Sequence, residues 1–150
     1  MKANEVTQKV NDKLNQLLSD LQIVYQNQRT LHWLVKGPDF YMLHNLFEKY
    51  YDETADVIDE VAERILMLGG VPLHQFKDYL EYASIKPVTE VPKGRESLKI
   101  AVNNFEDLLK QYRSILELAG ENEDEATASM MSDLISGTEK KLWMLNSTLA

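Results

Sequence analysis

The sequence contains no cysteine, which removes disulfides, thiolate metal sites and cysteine nucleophiles together. Proline and glycine are scarce, 4 and 6 in 150 residues. Long stretches therefore run without a residue that breaks a helix. No apolar run approaches the ~18 residues of a membrane span, and mean hydropathy is −0.36. Positive charge is also short. Lys and Arg total 16 against 24 Asp and Glu, for a formal net charge of −8 and a pI near 4.9. That balance repels nucleic acid and anionic membranes and attracts cations. Lys2, Lys9 and Lys13 are too sparse to form a basic arm, so direct DNA binding is not expected. The opening residues, "MKANEVTQKV", lack the basic start and apolar stretch of a signal peptide, and the expected location is the cytoplasm.

What is present is helical periodicity. At 150 residues and 44% hydrophobic, the chain fits one domain over residues 1–150 with a real core. Val6, Val10, Leu14, Leu17, Leu21, Val24, Leu31 and Val35 step at helical spacing, and "KGPD" (36–39) stops that first helix. A second helix is expected from about Tyr41 to Leu68, where "GGVP" supplies a glycine cap and a following proline. Residues 73–94 carry no long periodic pattern. "HQFKDYLEYA" suits a short helix, and "SIKPVTEVPKG" an extended connector. The third long helix presents Leu98, Val102, Phe105, Leu109, Tyr112 and Leu116. The fourth presents Met130, Met131, Leu134, Ile135, Leu142, Leu145 and Leu149, with Asn122 as the expected cap and Glu125 completing a capping box. No strand alternation is visible. The expected fold is all-α: a four-helix bundle with one long crossover that contains a short helix, the ferritin-like topology.

The second helix carries an unusual stripe. On a wheel with His44 at about 0°, Glu48, Asp59, Asp52, Glu63 and Asp56 fall within about 40° to 120°. The apolar set Leu43, Phe47, Tyr50, Ile58, Val61, Ile65 and Leu68 lies opposite. A solvated face is the plain alternative, but such faces usually mix signs, since like charges one turn apart repel. Here Lys49 and Arg64 fall at or beyond the stripe's margin. Retained repulsion points to a cation. Carboxylate with imidazole suits iron, manganese or zinc better than calcium or magnesium. One helix cannot close such a site, because His44 and Asp59 stand roughly 22 Å apart along the axis. No Glu-x-x-His occurs anywhere, so the usual intrachain di-iron motif is missing. Two copies of the helix, antiparallel across a twofold near Tyr51 and Asp52, would bring His44 and Glu48 of one chain to Asp59 and Glu63 of the other. His32, at the end of the first helix, can join His44 across the short connection.

"LHW-x-VKGP-x-F-xx-LH-xx-FE-xx-Y-x-E-xxxx-DE-x-AER" resembles the signature of the Dps family, the miniferritins named for DNA-binding proteins from starved cells. The glycine pair and the late "KKLWML" extend the resemblance over nearly the whole chain. It implies a hollow dodecamer with ferroxidase sites between twofold-related subunits. Carried over position by position, the ligands are His32, His44 and Glu48 from one chain and Asp59 and Glu63 from its partner. The family often has Asp where Glu48 stands. Trp33 matches a tryptophan beside the site. The implied activity is oxidation of Fe(II) to Fe(III), preferentially by hydrogen peroxide, with storage of ferric mineral. That chemistry consumes both Fenton reactants and so protects DNA.

Asp52 and Asp56 are expected either as transfer or nucleation carboxylates or as hydrated interface acids. Glu121, Glu123, Asp124 and Glu125 crowd the start of the fourth helix. Acids there favour the helix dipole, and the resemblance implies a pore for incoming ions in this region. His74 is expected at the surface or in packing, and Trp33, Trp143 and Met144 in packing. Two other functions compete: a nucleoid-compacting DNA-binding protein with incidental iron binding, and a helical interaction module whose acidic face has no metal role.

Overall fold

The computed structural model describes residues 3–150. Their helices are α1 (Ala3–Leu34), α2 (Phe40–Met67), the short α3 (Phe76–Tyr82), α4 (Leu98–Glu121) and α5 (Glu125–Leu149), with a 3₁₀ turn at Gly94–Ser97 before α4. There is no strand among the described residues. The expected all-α bundle with a crossover helix is the fold that forms.

Contacts between distant residues fix the directions. Asn11 meets Leu68, Tyr25 meets Tyr51 and His32 meets His44, so α1 and α2 are antiparallel. Lys13 meets Ser114 and Asn27 meets Asn104, so α4 is antiparallel to α1 and parallel to α2. Arg113 meets Glu139, which sets α5 antiparallel to α4. A long crossover is what allows two helices in sequence to run parallel. The core holds Leu14, Leu17, Leu21, Phe47, Val61, Ile65, Phe105, Tyr112, Ile115 and Met131, all buried. Trp143 and Met144 are not in it: they are 66% and 53% exposed, contrary to their expected packing role, because the buried stripe of α5 runs through Thr138, Leu142 and Leu145 instead.

The end of α2 is built as its glycines require. Gly69 N donates to Leu66 O and Gly70 N to Ile65 O, the paired bonds of a Schellman cap. Gly69 has φ 80°, which a side chain disfavours. At Gly70 the constraint is space: a Cβ would lie 2.7 Å from Asn11 Nδ2.

The crossover is held by polar residues of α1. Asp20, at 0% exposure, accepts from Ser84 N and Ile85 N at 2.8 Å each and from Gln111 Nε2 at 2.8 Å. Asn27 accepts from Val88 N and donates to Lys86 O and Asn104 Oδ1. Asn15 holds Leu73 N and Val71 O in the same way, and Gln16 Nε2 bonds Tyr82 O. A segment without its own regular hydrogen bonds thereby satisfies its backbone against a helix. This fixes α1, and with α1 the position of His32.

Candidate metal centre

His32 and His44 come together across the turn that joins α1 to α2. That turn bends at Gly37 (φ 98°) and Asp39 (φ 66°), and Arg95 pairs with Asp39 Oδ2 at 3.0 Å. The imidazoles stack at 3.7 Å between centroids and 14° between planes. Each Nδ1 bonds the other residue's backbone carbonyl: His32 Nδ1 to His44 O at 2.7 Å, His44 Nδ1 to His32 O at 2.8 Å. A carbonyl only accepts, so each Nδ1 carries the proton. In the neutral rings both Nε2 lone pairs are then left free. A carbonyl partner on the second nitrogen is the usual way a metal-binding histidine is oriented. Phe40 also stacks on His44, with centroids 5.1 Å apart. His32 is buried, while Glu48 is open to solvent.

Glu48 Oε1 lies 3.8 Å from His32 Nε2. That is too far for a hydrogen bond. One first-row divalent ion at about 2.0–2.2 Å from each donor, the distances zinc takes, fits the gap. Tyr51 donates to the same Oε1 at 3.5 Å and sets its ring edge toward His32 at 5.4 Å. Burial, and then the nearby charge of Glu48, raise the Tyr51 phenol above its usual range.

Asp59 and Glu63 stand one helical turn apart, exposed, further along α2. The Glu63 carboxyl is raised, first by a hydrogen bond with Asp59 and then by its charge. Two carboxylates this close repel each other, and a cation between them relieves the repulsion. Asp52 and Asp56 lie exposed between the halves. The stripe therefore forms as the wheel expects, in two groups that one chain does not join. Among the described residues no three His, Asp or Glu side chains stand close enough to hold an ion within one chain.

The acids at the start of α5 have different fates. Asp124, not Asn122, is the cap: its carboxylate accepts from Thr127 N at 3.1 Å and from Thr127 Oγ1 at 2.6 Å. Arg64 Nη2 pairs with it at 3.0 Å, both side chains being largely buried. Asn122 instead ends α4, donating to Leu118 O. Glu121, Glu123 and Glu125 remain exposed. His74 is exposed and bonds the nearby Pro72 O. Trp33 is 56% exposed, with Arg29 over its ring at 4.9 Å. Sequence reasoning missed the contacts of Tyr51 with Glu48 and His32. Their signal was a tyrosine three residues after Glu48, one turn along the same face.

A four-helix bundle with one long crossover is the ferritin-like topology, and residues 11–150 match the ferritin-like domain family. The DNA protection during starvation protein of Porphyromonas gingivalis is 43% identical over 133 residues, 89% of this chain and 84% of that protein. The Dps protein of Vibrio cholerae O1, described as a member of a broad superfamily of ferritin-like diiron-carboxylate proteins, has a TM-score of 0.95 at 46% identity, covering 98% of this chain and 92% of that one. Dps of Bacillus brevis also reaches 0.95, at 37% identity over the full length of both chains. The chain belongs to the Dps family.

Proposed function

We propose that residues 1–150 form one ferritin-like domain that assembles into a hollow dodecamer, oxidises Fe(II) and stores the ferric mineral. Family membership supports iron handling and DNA protection in general. The finer reading rests on one observation: the locked His32–His44 pair beside Glu48 and the Asp59–Glu63 pair are half-sites separated along one exposed helix face. Two chains with α2 antiparallel across a twofold axis join the halves twice. The ligands are then His32, His44 and Glu48 from one chain, Asp59 and Glu63 from the other.

Iron is the substrate. Two Fe(II) ions give up two electrons, one peroxide O–O bond breaks, and two protons complete two waters. Two irons held in one shared site deliver both electrons together, which takes peroxide to water without releasing hydroxyl radical, and hydrogen peroxide is the preferred oxidant in this reading. Anionic oxygen donors favour Fe(III). Asp52 and Asp56 lie next to the pair and pass product toward the cavity. Glu121, Glu123 and Glu125 draw in ions at a pore, a role for which Asp124 is less free because it holds Arg64 and Thr127. The acidic shell works in the cytoplasm and protects DNA through solution chemistry without binding it.

Light scattering should give about 200 kDa, twelve chains of 17.3 kDa. Anaerobic titration with peroxide should oxidise two Fe(II) per peroxide. With Fe(II) and peroxide, the protein should protect plasmid from nicking without shifting it on a gel, and His32→Ala with His44→Ala should protect much less. A stable monomer, or a gel shift by metal-free protein at ~150 mM salt, contradicts the reading.

A further inference from the structure

We propose that Tyr51 is a positioning residue for the iron-binding edge of α2. The inference rests on the ferroxidase reading above and deepens it. Tyr51 touches both donors that this edge must align. Its hydroxyl donates a long hydrogen bond, 3.5 Å, to Glu48 Oε1, and its ring stands at 78° to the His32 ring with centroids 5.4 Å apart. The same Oε1 is the atom that lies 3.8 Å from His32 Nε2. Glu48 is exposed and has one more rotatable bond than an aspartate, so without a tether its carboxylate samples many rotamers. A single neutral donor on Oε1 restrains it beside His32 and leaves Oε2 open. Among the described residues, no other hydrogen bond to Glu48 competes with this one.

Tyr51 is itself held. Tyr25 meets its ring edge-on at 6.0 Å and 85°, and the Arg29 guanidinium lies over Tyr25 at 5.2 Å. Arg29 also covers Trp33. Residues of α1 thus fix a side chain of α2, which fixes a carboxylate one turn away. The longer Glu48 arm is the structural reason for the tether: its carboxylate must be drawn back to reach the ion that His32 binds.

Tyr51→Phe keeps the ring and deletes the hydroxyl. Co(II), which is not oxidised under these conditions, serves as the probe of the assembled protein. Its affinity should fall three- to tenfold, and its visible spectrum should change as Glu48 is released. The KM for Fe(II) should rise by a similar factor with kcat within twofold, the sign of lost binding with chemistry intact. On a Glu48→Ala background, Tyr51→Phe should have no further effect, since Tyr51 acts through Glu48. The proposal is overturned by unchanged affinity and spectrum in Tyr51→Phe, by effects of the two substitutions that add independently, or by Tyr51→Phe chains that fail to assemble. If the wild-type protein binds no Co(II) that His32→Ala abolishes, the ferroxidase reading falls and this inference with it. Normal iron oxidation by wild type with an indifferent Tyr51→Phe overturns the inference alone.

Discussion

Asp20 on α1 and Asp59 on α2 are both mid-helix aspartates in an acidic chain, and their surroundings are opposite. Asp20 has no exposed surface and is ringed by donors from the crossover and α4. Asp59 is exposed and shares its neighbourhood with another carboxylate. One carboxylate is satisfied inside the chain and acts in folding. The other is open to solvent and repels its neighbour Glu63, a repulsion that a bound cation would relieve. Charge on a helix therefore says little until its partners are known: Asp20 is identified as structural by its buried ring of donors, Asp59 as a candidate metal acid by its exposure beside a like charge.

The largest expected effect tests the first half of this contrast. Asp20→Ala strands the buried N–H of Ile85 and removes the partners of Ser84 N and Gln111, and should lower unfolding free energy by about 3 kcal/mol, measured in urea. Asp59→Ala should do the reverse. It removes a like charge, so metal-free thermal stability should equal or exceed wild type, while peroxide-driven Fe(II) oxidation falls at least about tenfold, as expected for loss of a ligand. Equal destabilisation by both substitutions would erase the distinction.

Most of the bundle was legible in the sequence, because core helices announce themselves by periodicity and their ends by "KGPD" and "GGVP". The acidic stripe of α2 was legible for the same reason. Asp20 and Asn27 were not, since their partners lie some sixty to ninety residues away and share no local pattern with them. They interrupt the apolar stripe of α1 and read there as ordinary polar positions. The cap of α5 was misassigned because Asn122 and Asp124 both suit a cap. Arg64, from a distant helix, meets Asp124 and not Asn122. Trp143 sits at core spacing yet faces outward, a distinction of a few tens of degrees that periodicity does not resolve.

Acid should separate the two halves of the proposed metal centre. Asp59 raises the Glu63 carboxyl, so Glu63 keeps its proton at a pH where an isolated glutamate has lost it. The folded state binds this proton more readily than the unfolded chain. Its contribution to metal-free stability is therefore present at low pH and is lost as pH rises through the raised value. Ion binding has the opposite sign: Co(II) affinity at this pair should weaken as pH falls through the same range, by up to about tenfold per pH unit while one proton must be displaced. An affinity flat through that range would contradict the raised Glu63 carboxyl.

Smaller still is the effect at the α5 cap. Asp124→Ala removes the bonds to Thr127 and strands Arg64, and should cost about 1–2 kcal/mol in stability without changing Co(II) affinity at the α2 sites. A lower affinity in that variant would tie the end of the bundle to the metal centre.

The sharing of sites between chains is tested most directly by complementation. His32→Ala and Asp59→Ala chains are co-expressed in equal amounts and purified as mixed shells. In a mixed pair one site inherits both defects and the other inherits neither. With random pairing about a quarter of all sites are intact, so the mixed shells should recover about a quarter of wild-type Fe(II) oxidation. Mixed shells as inactive as either parent would show that these residues do not meet across a twofold interface.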